Sequence, residues 1–209
     1  MRLAFFIRQI WFTLKFDIAD VALFISGKGV RREIVSEIPI APSMIVDMLT
    51  GTGSILIEYA QAFPNAFIYA VDSDPKALSF VSDRLTDRGI SRFQTIVGDA
   101  KDVKLPEGKA DLVNISFGLH ELCFEDRRKV LLEAMRLLKT NGFLIVSDYR
   151  MPEGRGKGIL ARIFFRLFEP PWISEVLKGD IKDAIQEAGF MLEREYDLPL
   201  TSLFIARNP

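Results

Sequence analysis

The sequence has few of the side chains that form disulfides and soft-metal sites. Its 209 residues include one cysteine, Cys123, and one histidine, His120. A single cysteine forms no internal disulfide, and the pair is too small for the cysteine and histidine sets that hold zinc. We therefore expect no metal site and a reducing, cytoplasmic location. With no second histidine to activate it, Cys123 is expected to be a small buried residue, not a nucleophile.

Long hydrophobic runs and a marked net charge are also absent. Hydrophobic residues make up 49% of the chain, 17 of them Phe, but no run approaches the roughly 18 uncharged residues of a membrane span. Arg8 interrupts the first apolar run, so a signal peptide is not expected. The net charge is −1. Nucleic acid is therefore not an expected partner, and any membrane contact would be peripheral.

Apolar runs and helical periodicities alternate along the chain, whose length suits one domain. Strands are predicted at 44–48, 66–72, 93–97, 111–116 and 143–149, with two more at 190–196 and 201–207. Helices are predicted at 54–63, 75–87, 125–138 and 179–188. Strands that alternate with helices indicate an α/β fold with a doubly wound, mostly parallel sheet. In such sheets, ligands bind outside the carboxyl ends of the strands.

Carboxylates and glycines follow the first three predicted strands. Asp47 ends the first strand, and Gly51 and Gly53 lie in the turn that opens the next helix. Asp72 ends the second strand, 25 residues after Asp47, and Asp99 follows the third, 27 residues after Asp72. Glycines allow a ligand to approach the backbone, and a carboxylate at the second strand end can accept both hydroxyls of a ribose. These residues are therefore candidates for one nucleotide-type site.

The glycine turn alone is a weak signal, because tight turns between strands and helices often contain glycine. The phosphate-binding pattern Gly-x-Gly-x-x-Gly is absent, which disfavours a nicotinamide-dependent oxidoreductase. Asp74 precedes Pro75, the first residue of a predicted helix, so it is expected to cap that helix and not to bind a ligand.

Residues 45–150 resemble the class I S-adenosylmethionine-dependent methyltransferases. The resemblance is carried by the spacing of Asp47, Gly51, Gly53, Asp72 and Asp99. The run ISFGLHEL at 115–122 looks like the fourth-strand signature of the ubiquinone/menaquinone-biosynthesis C-methyltransferases. That family has Arg-Asn at the position of His120-Glu121, and it often has a non-glycine residue at the position of Leu49. The resemblance implies a Rossmann-like, seven-stranded sheet with an antiparallel last strand and an N-terminal helical cover.

The resemblance also implies S-adenosylmethionine as the cofactor and assigns its contacts. The Gly51-Thr52-Gly53 backbone would face the methionine part, Asp72 the ribose hydroxyls, and Asp99 with the Ala100 amide the adenine. The full set of implied cofactor-binding residues is Asp47, Gly51, Thr52, Gly53, Asp72, Asp99, Ala100 and Ser116.

Methyl transfer is an in-line displacement in which the enzyme mainly positions the reactants. The implied acceptor is a small apolar or amphipathic molecule such as a quinol or a phenol. His120 is the candidate base for an acceptor that loses a proton, although packing of its turn explains it equally well. Asp148, Tyr149 and Arg150 end the fifth strand on the same rim, and Tyr149 and Arg150 are the substrate-side candidates.

We interpret the chain as one methyltransferase domain with four parts. They are an N-terminal helical cover (1–40), the cofactor-binding core (41–150), a lid or substrate-side insertion (151–178), and the C-terminal helix and strands (179–209). Apolar and basic residues at 1–24 and 157–172 suit a lid, a dimer face or a peripheral membrane contact. The alternative function is a non-catalytic cofactor-binding module that joins a partner protein or a membrane.

Overall fold

The computed structural model describes residues 29–150, 180–198 and 201–209. The segments 1–24 and 157–172, for which a lid, a membrane contact and a dimer face were considered, lie outside these residues. Within the described ranges, no helix has the length and apolar character needed to cross a membrane.

Seven strands form one sheet in the order β3-β2-β1-β4-β5-β7-β6. Their bounds are Met44–Met48 (β1), Phe67–Asp72 (β2), Phe93–Val97 (β3), Ala110–Ser116 (β4), Leu138–Tyr149 (β5), Met191–Leu198 (β6) and Thr201–Arg207 (β7). The first five strands pair in parallel, whereas β7 runs antiparallel to both β5 and β6. The predicted Rossmann-like sheet with an antiparallel last strand is therefore confirmed.

Five α-helices and one short 3₁₀ turn accompany this sheet in the described residues. The helices are Val30–Ser36 (α1), Ser54–Ala62 (α2), Pro75–Thr86 (α3), Phe124–Leu137 (α4) and Asp180–Glu187 (α5), and the 3₁₀ turn is Leu119–Glu121. Asp74 caps α3 as expected, because its Oδ1 accepts a hydrogen bond of 2.8 Å from the Lys76 amide.

The core has two parts, because side chains alternate between the two faces of the sheet. Val46 and Met48 of β1 pack with α4 and α5 in one cluster, whereas Ile45 packs with α2 and α3 in the other. Both faces are thus covered, which explains why the parallel strands are apolar runs and not alternating patterns. The side chain of Asp47 consequently lies on the α2 side of the sheet, next to a neighbour on β4.

Two local expectations were wrong. Strand β5 begins at Leu138, directly after α4 and five residues before the predicted start, because Leu138 already pairs with Ala110 of β4. Asn141, with a φ of 62°, turns the chain inside this strand and donates from its amide to the Asn208 carbonyl at 2.9 Å. Cys123 is exposed and not buried, because it is the N-cap residue of α4 at the end of a surface turn.

Candidate functional site

The glycine turn after β1 is tightly packed. Leu49, Gly51 and Gly53 have φ angles of 58°, 54° and 65°, values that favour glycine. A Cβ atom added at Gly53 would lie 2.8 Å from Cγ2 of Val81 on α3. Glycine is therefore required at position 53 both by the backbone conformation and by the close approach of α3. This turn directs the N-terminus of α2 toward the carboxyl end of the sheet.

The Asp72 carboxylate is joined directly to this turn. Its Oδ2 accepts a hydrogen bond of 2.8 Å from the Gly51 amide, and its Oδ1 accepts one of 2.9 Å from the Asp74 amide. The residue is partly buried. Because each carboxylate oxygen has a second lone pair, Asp72 keeps the capacity to accept two more hydrogen bonds, as a vicinal diol requires.

Asp47 is a buried carboxylate with one unsatisfied oxygen. It is 1% exposed, and its Oδ1 accepts a hydrogen bond of 2.6 Å from Nδ2 of Asn114 on β4. Its Oδ2 has no hydrogen-bond partner among the described residues. Burial raises the pKa of Asp47 to about 7; the Asn114 bond acts in the opposite direction, and the Asp72 charge adds a smaller increase. A cationic ligand group would satisfy Oδ2 and favour the ionised form.

A polar network extends from Asp47 across the strand ends. The Tyr59 hydroxyl donates to Oδ1 of Asn114 at 2.8 Å, and Nδ2 of Asn114 lies 3.2 Å from the Ser116 Oγ. The Ser116 Oγ in turn lies 2.8 Å from the Ser147 Oγ. Sequence reasoning missed Tyr59, Asn114 and Ser147. Asn114 was the feature of the sequence that could have indicated this network. It is an amide within a largely apolar strand, and a buried amide needs hydrogen-bond partners.

Asp99 is less closely connected to the other strand-end residues than Asp47 and Asp72 are. The Gly98 amide donates to the Asp72 carbonyl at 2.9 Å, which attaches the loop after β3 to the end of β2. The Asp99 side chain is 61% exposed, and its Oδ1 accepts from the Lys101 amide at 2.9 Å within its own loop. Ala100 is buried. Thr52 lies in the glycine turn, where its hydroxyl is 3.1 Å from that of Ser54.

His120 and Asp148 form a buried pair. Nδ1 of His120 lies 2.7 Å from Oδ1 of Asp148, and the His120 amide donates to Oδ2 at 3.1 Å. The two side chains are 4% and 1% exposed. Asp148 was expected on the rim of the site, but the structure places it beneath the 3₁₀ turn, since both of its oxygens are engaged by His120.

The other predicted residues at the end of β5 separate from each other. The Tyr149 ring centroid is 4.7 Å from that of His120 and 5.3 Å from that of Phe117, a residue that sequence reasoning did not single out. Arg150 instead forms an ion pair of 3.1 Å with Asp197 of β6. Tyr149 thus lies beside His120, whereas the ion pair of Arg150 connects it to β6, and the substrate-side role of both residues stays a prediction.

Leu49 connects the glycine turn with the signature after β4. A Cβ atom added at Gly118 would lie 2.7 Å from Cβ and 2.8 Å from Cδ1 of Leu49. Glycine at 118 therefore accommodates the non-glycine residue at 49. Leu49 and Phe117 both have positive φ angles, of 58° and 53°, and such backbone strain in non-glycine residues is concentrated at functional sites.

Comparisons of the sequence with known proteins agree with this architecture. The sequence model of a methyltransferase domain matches residues 45–142. The chain is 30% identical over 141 residues to a demethylmenaquinone methyltransferase of Thermus thermophilus, covering 67% of this chain and 62% of the relative. It is 27% identical over 169 residues to the Thermotoga maritima protein of the same name, covering 79% of this chain and 70% of that one.

Solved structures show the same fold. A SAM-dependent methyltransferase from Aquifex aeolicus aligns with a TM-score of 0.71 at 16% identity, over 91% of this chain and 98% of that one. The [4+2]-cyclase SpnF aligns with a TM-score of 0.69 at 15% identity, over 86% of this chain and 80% of that one. The structures support the fold, and the sequence matches identify the domain. Residues 45–142 match a methyltransferase domain, and the chain is similar to S-adenosylmethionine-dependent methyltransferases of quinone biosynthesis.

Proposed function

We propose that the chain binds S-adenosylmethionine at the carboxyl ends of β1, β2 and β4 and methylates a small ring-bearing acceptor such as a quinol or a phenol. The observation that carries the proposal is the hydrogen bond of 2.8 Å between the Gly51 amide and Oδ2 of Asp72. This bond connects the glycine turn to the end of the second strand, which supports a shared role for the two in binding the cofactor. When bound, the cofactor supplies an electrophilic methyl group on a sulfonium sulfur.

The described residues fit this cofactor. Asp72 has acceptor capacity for the two ribose hydroxyls, and the unsatisfied Oδ2 of buried Asp47 suits the ammonium group of the methionine part. The proposal places three further parts of the chain at the cofactor. They are the glycine turn (Gly51, Thr52 and Gly53), the end of β4 (Ser116) and the loop after β3 (Asp99 and Ala100).

The acceptor proposal rests on the aromatic side chains next to His120. Tyr149 and Phe117 are both partly exposed and lie with the His120 ring at the ends of β4 and β5. The rings are tilted by 56° and 54° relative to their neighbours, and aromatic faces and edges both form favourable contacts with a planar ring. The names of the relatives give demethylmenaquinone as their substrate, and a ring-bearing acceptor is consistent with that class. Holding the acceptor in line with the methyl group would supply most of the catalysis.

Calorimetric titration with S-adenosylhomocysteine tests the cofactor site. Asp72→Ala should weaken binding by about ten- to a hundredfold, since each charge-assisted hydrogen bond contributes about 1.5 to 3 kcal/mol. Asp74→Ala is the matched control: it removes the cap of α3 but leaves the backbone amide that Asp72 binds. Equal affinities for the wild type and Asp72→Ala would refute the ribose role. No binding by the folded wild type would refute the cofactor proposal.

Formation of S-adenosylhomocysteine in the presence of a panel of quinols and phenols tests the reaction. The chain spans 62% of the Thermus relative's length, and a protein of the same fold is a cyclase, so turnover must be measured directly. Binding without turnover on any acceptor would instead favour the non-catalytic module. Peripheral membrane contact through 1–24 or 157–172 and a homodimer stay predictions.

A further inference from the structure

The loop between β3 and β4, residues 98–109, is attached to α4 by an ion pair. Arg136 donates from Nη2 to Oε1 of Glu133 at 2.6 Å and from Nε to Oε2 at 2.8 Å. Oε1 of Glu133 also accepts the Val103 amide at 2.7 Å. Arg136 donates in addition to the carbonyls of Val103 and Leu105, at 2.9 and 3.0 Å. The pair therefore binds three backbone groups of the loop, and its two-pronged geometry fixes their orientation.

The first part of this loop lies beside the proposed cofactor site. The Gly98 amide donates to the Asp72 carbonyl at 2.9 Å, so the loop starts next to the residue proposed to bind the ribose. Oδ1 of Asp99 accepts the Lys101 amide at 2.9 Å. Nζ of Lys101 lies 3.6 Å from Oδ2 of Asp99 and 3.1 Å from Oδ2 of Asp126 on α4. The Asp99 side chain is exposed and therefore accessible to a ligand.

Of the two contacts with α4, the one through Glu133 is expected to set the shape of the loop. The side chains of Lys101 and Asp126 are 32% and 30% exposed, and ion pairs in contact with water contribute little. Glu133 is buried, and so is the Val103 side chain, which packs in the same core cluster as α4. Both the amide and the carbonyl of Val103 are bonded to the pair. The backbone at Val103 is therefore restricted to a narrow range of conformations.

We propose that the Glu133–Arg136 pair is a positioning element that holds the loop after β3 in the conformation in which Asp99 recognises the base of the cofactor. The inference deepens the proposed function and rests on it, because Asp99 belongs to the proposed cofactor contacts. An ionised carboxylate only accepts hydrogen bonds, so Asp99 favours an exocyclic amino group over a carbonyl oxygen at the same place. A loop that is already ordered loses less conformational freedom when the ligand binds.

Amide hydrogen exchange in the ligand-free protein tests whether the pair holds the loop. The Val103 amide should exchange about tenfold faster in Arg136→Met than in the wild type, because the loop opens locally. The Phe67 amide, which donates to the Ser43 carbonyl at the start of β2, corrects for any change in overall stability. Arg128→Met, at an exposed position of the same helix, is the matched control and should leave both rates unchanged. Equal corrected rates in the wild type and Arg136→Met would overturn the proposal.

Calorimetric titration with two ligands tests recognition of the base. The ligands are S-adenosylhomocysteine and its analogue with hypoxanthine in place of adenine, in which a carbonyl oxygen replaces the amino group. The wild type should prefer the adenine compound by about ten- to a hundredfold, since the analogue lacks one charge-assisted hydrogen bond. In Arg136→Met this preference should fall to about threefold or less, whereas Arg128→Met should keep it. A merely structural role of Arg136 would lower both affinities equally, and an unchanged preference would therefore overturn the proposal.

Asp99→Ala shows whether the pair acts through Asp99. In that background Arg136→Met should leave the base preference unchanged, and an equal effect in both backgrounds would contradict the proposal. If Arg136→Met does not fold, Arg136→Lys, which keeps the charge but not the planar fork, is judged by the same two measurements. If the folded wild type binds no S-adenosylhomocysteine, the proposed function fails and this inference fails with it. A wild-type preference that the Arg136 variants retain refutes this inference alone.

Discussion

Asp47→Asn removes the ionisation of a buried carboxylate and keeps its shape. The Asn side-chain oxygen can still accept the hydrogen bond of 2.6 Å that Asn114 donates to Oδ1. What changes is the second atom, the Oδ2 that has no hydrogen-bond partner in the described part of the chain. The substitution therefore isolates the free-energy cost of charging this site.

The expected magnitude follows from the pKa of Asp47, which burial raises from 3.8 to about 7. The folded protein then keeps a proton that the unfolded chain has lost, so the free energy of unfolding falls as pH rises from about 4 to 7 and is level above 7. A shift of roughly three units, at about 1.4 kcal/mol each, corresponds to about 4 kcal/mol. In Asp47→Asn this contribution should be absent.

Urea denaturation of both proteins between pH 4.5 and 8.5 measures this effect. Subtracting one pH profile from the other cancels the groups that both proteins share. We expect the stability of Asp47→Asn relative to the wild type to increase by about 2 to 4 kcal/mol from pH 4.5 to pH 8, and most of the change to occur below pH 7. Parallel profiles would show that Asp47 titrates normally and would refute the reasoning.

Ligand binding should show the complementary effect. The ammonium group of S-adenosylhomocysteine favours ionised Asp47, so its affinity for the wild type should rise with pH up to about 7. The affinity of Asp47→Asn should be lower and should lack this pH dependence. An identical pH dependence in the two proteins would exclude Asp47 as the partner of the ammonium group.

Two further predictions concern packing and strand ends. Gly118→Ala should lower the free energy of unfolding, measured by urea denaturation, by about 1 to 3 kcal/mol. The nearest atom to the added methyl group is the Leu49 Cβ, so a second substitution, Leu49→Gly, should restore stability and Leu49→Ala should not. Rescue by Leu49→Ala would contradict this packing. Although partial burial opposes the shift, hydrogen bonds from Lys139 and Ser43 hold the pKa of Asp111 at about 2. The contribution of ionised Asp111 to the free energy of unfolding should be lost as the pH falls from about 4 toward 2. Asp111→Asn should lower stability at pH 7 by about 1 to 3 kcal/mol and show a flatter acid denaturation profile, whereas an unchanged profile would exclude this role.

The fold was predictable from the sequence because buried parallel strands leave a simple pattern. The runs that became β1, β2 and β4 are mostly apolar, since helices cover both faces of the sheet. The boundary between α4 and β5 was not predictable. It depends on the pairing of Leu138 with Ala110, a contact with a distant segment that no local pattern encodes.

Spacing along the chain predicted which residues reach the carboxyl ends of the strands, but not their contacts. Asp47, Asp72 and the glycine turn were identified because strand ends recur at regular intervals in this fold. The two carboxylates differ because of their tertiary contacts. Asp72 bonds to the Gly51 amide and keeps the capacity to accept a diol, whereas Asp47 is buried, bonds to Asn114 and has one unsatisfied oxygen. The roles of all predicted site residues stay predictions for the binding and turnover measurements.

The sequence by itself determined the fold class and the positions of the candidate strand-end residues, because these follow from local periodicity and motif spacing, and its motifs carried the resemblance to methyltransferases. Only the tertiary structure decided that Asp148 lies beneath the turn as the partner of His120 and that Arg150 pairs with β6. Asp148 and Arg150 are two residues apart at the end of one strand. Their different partners arise from neighbouring strands and turns, and side-chain burial there depends on packing that only the assembled sheet creates.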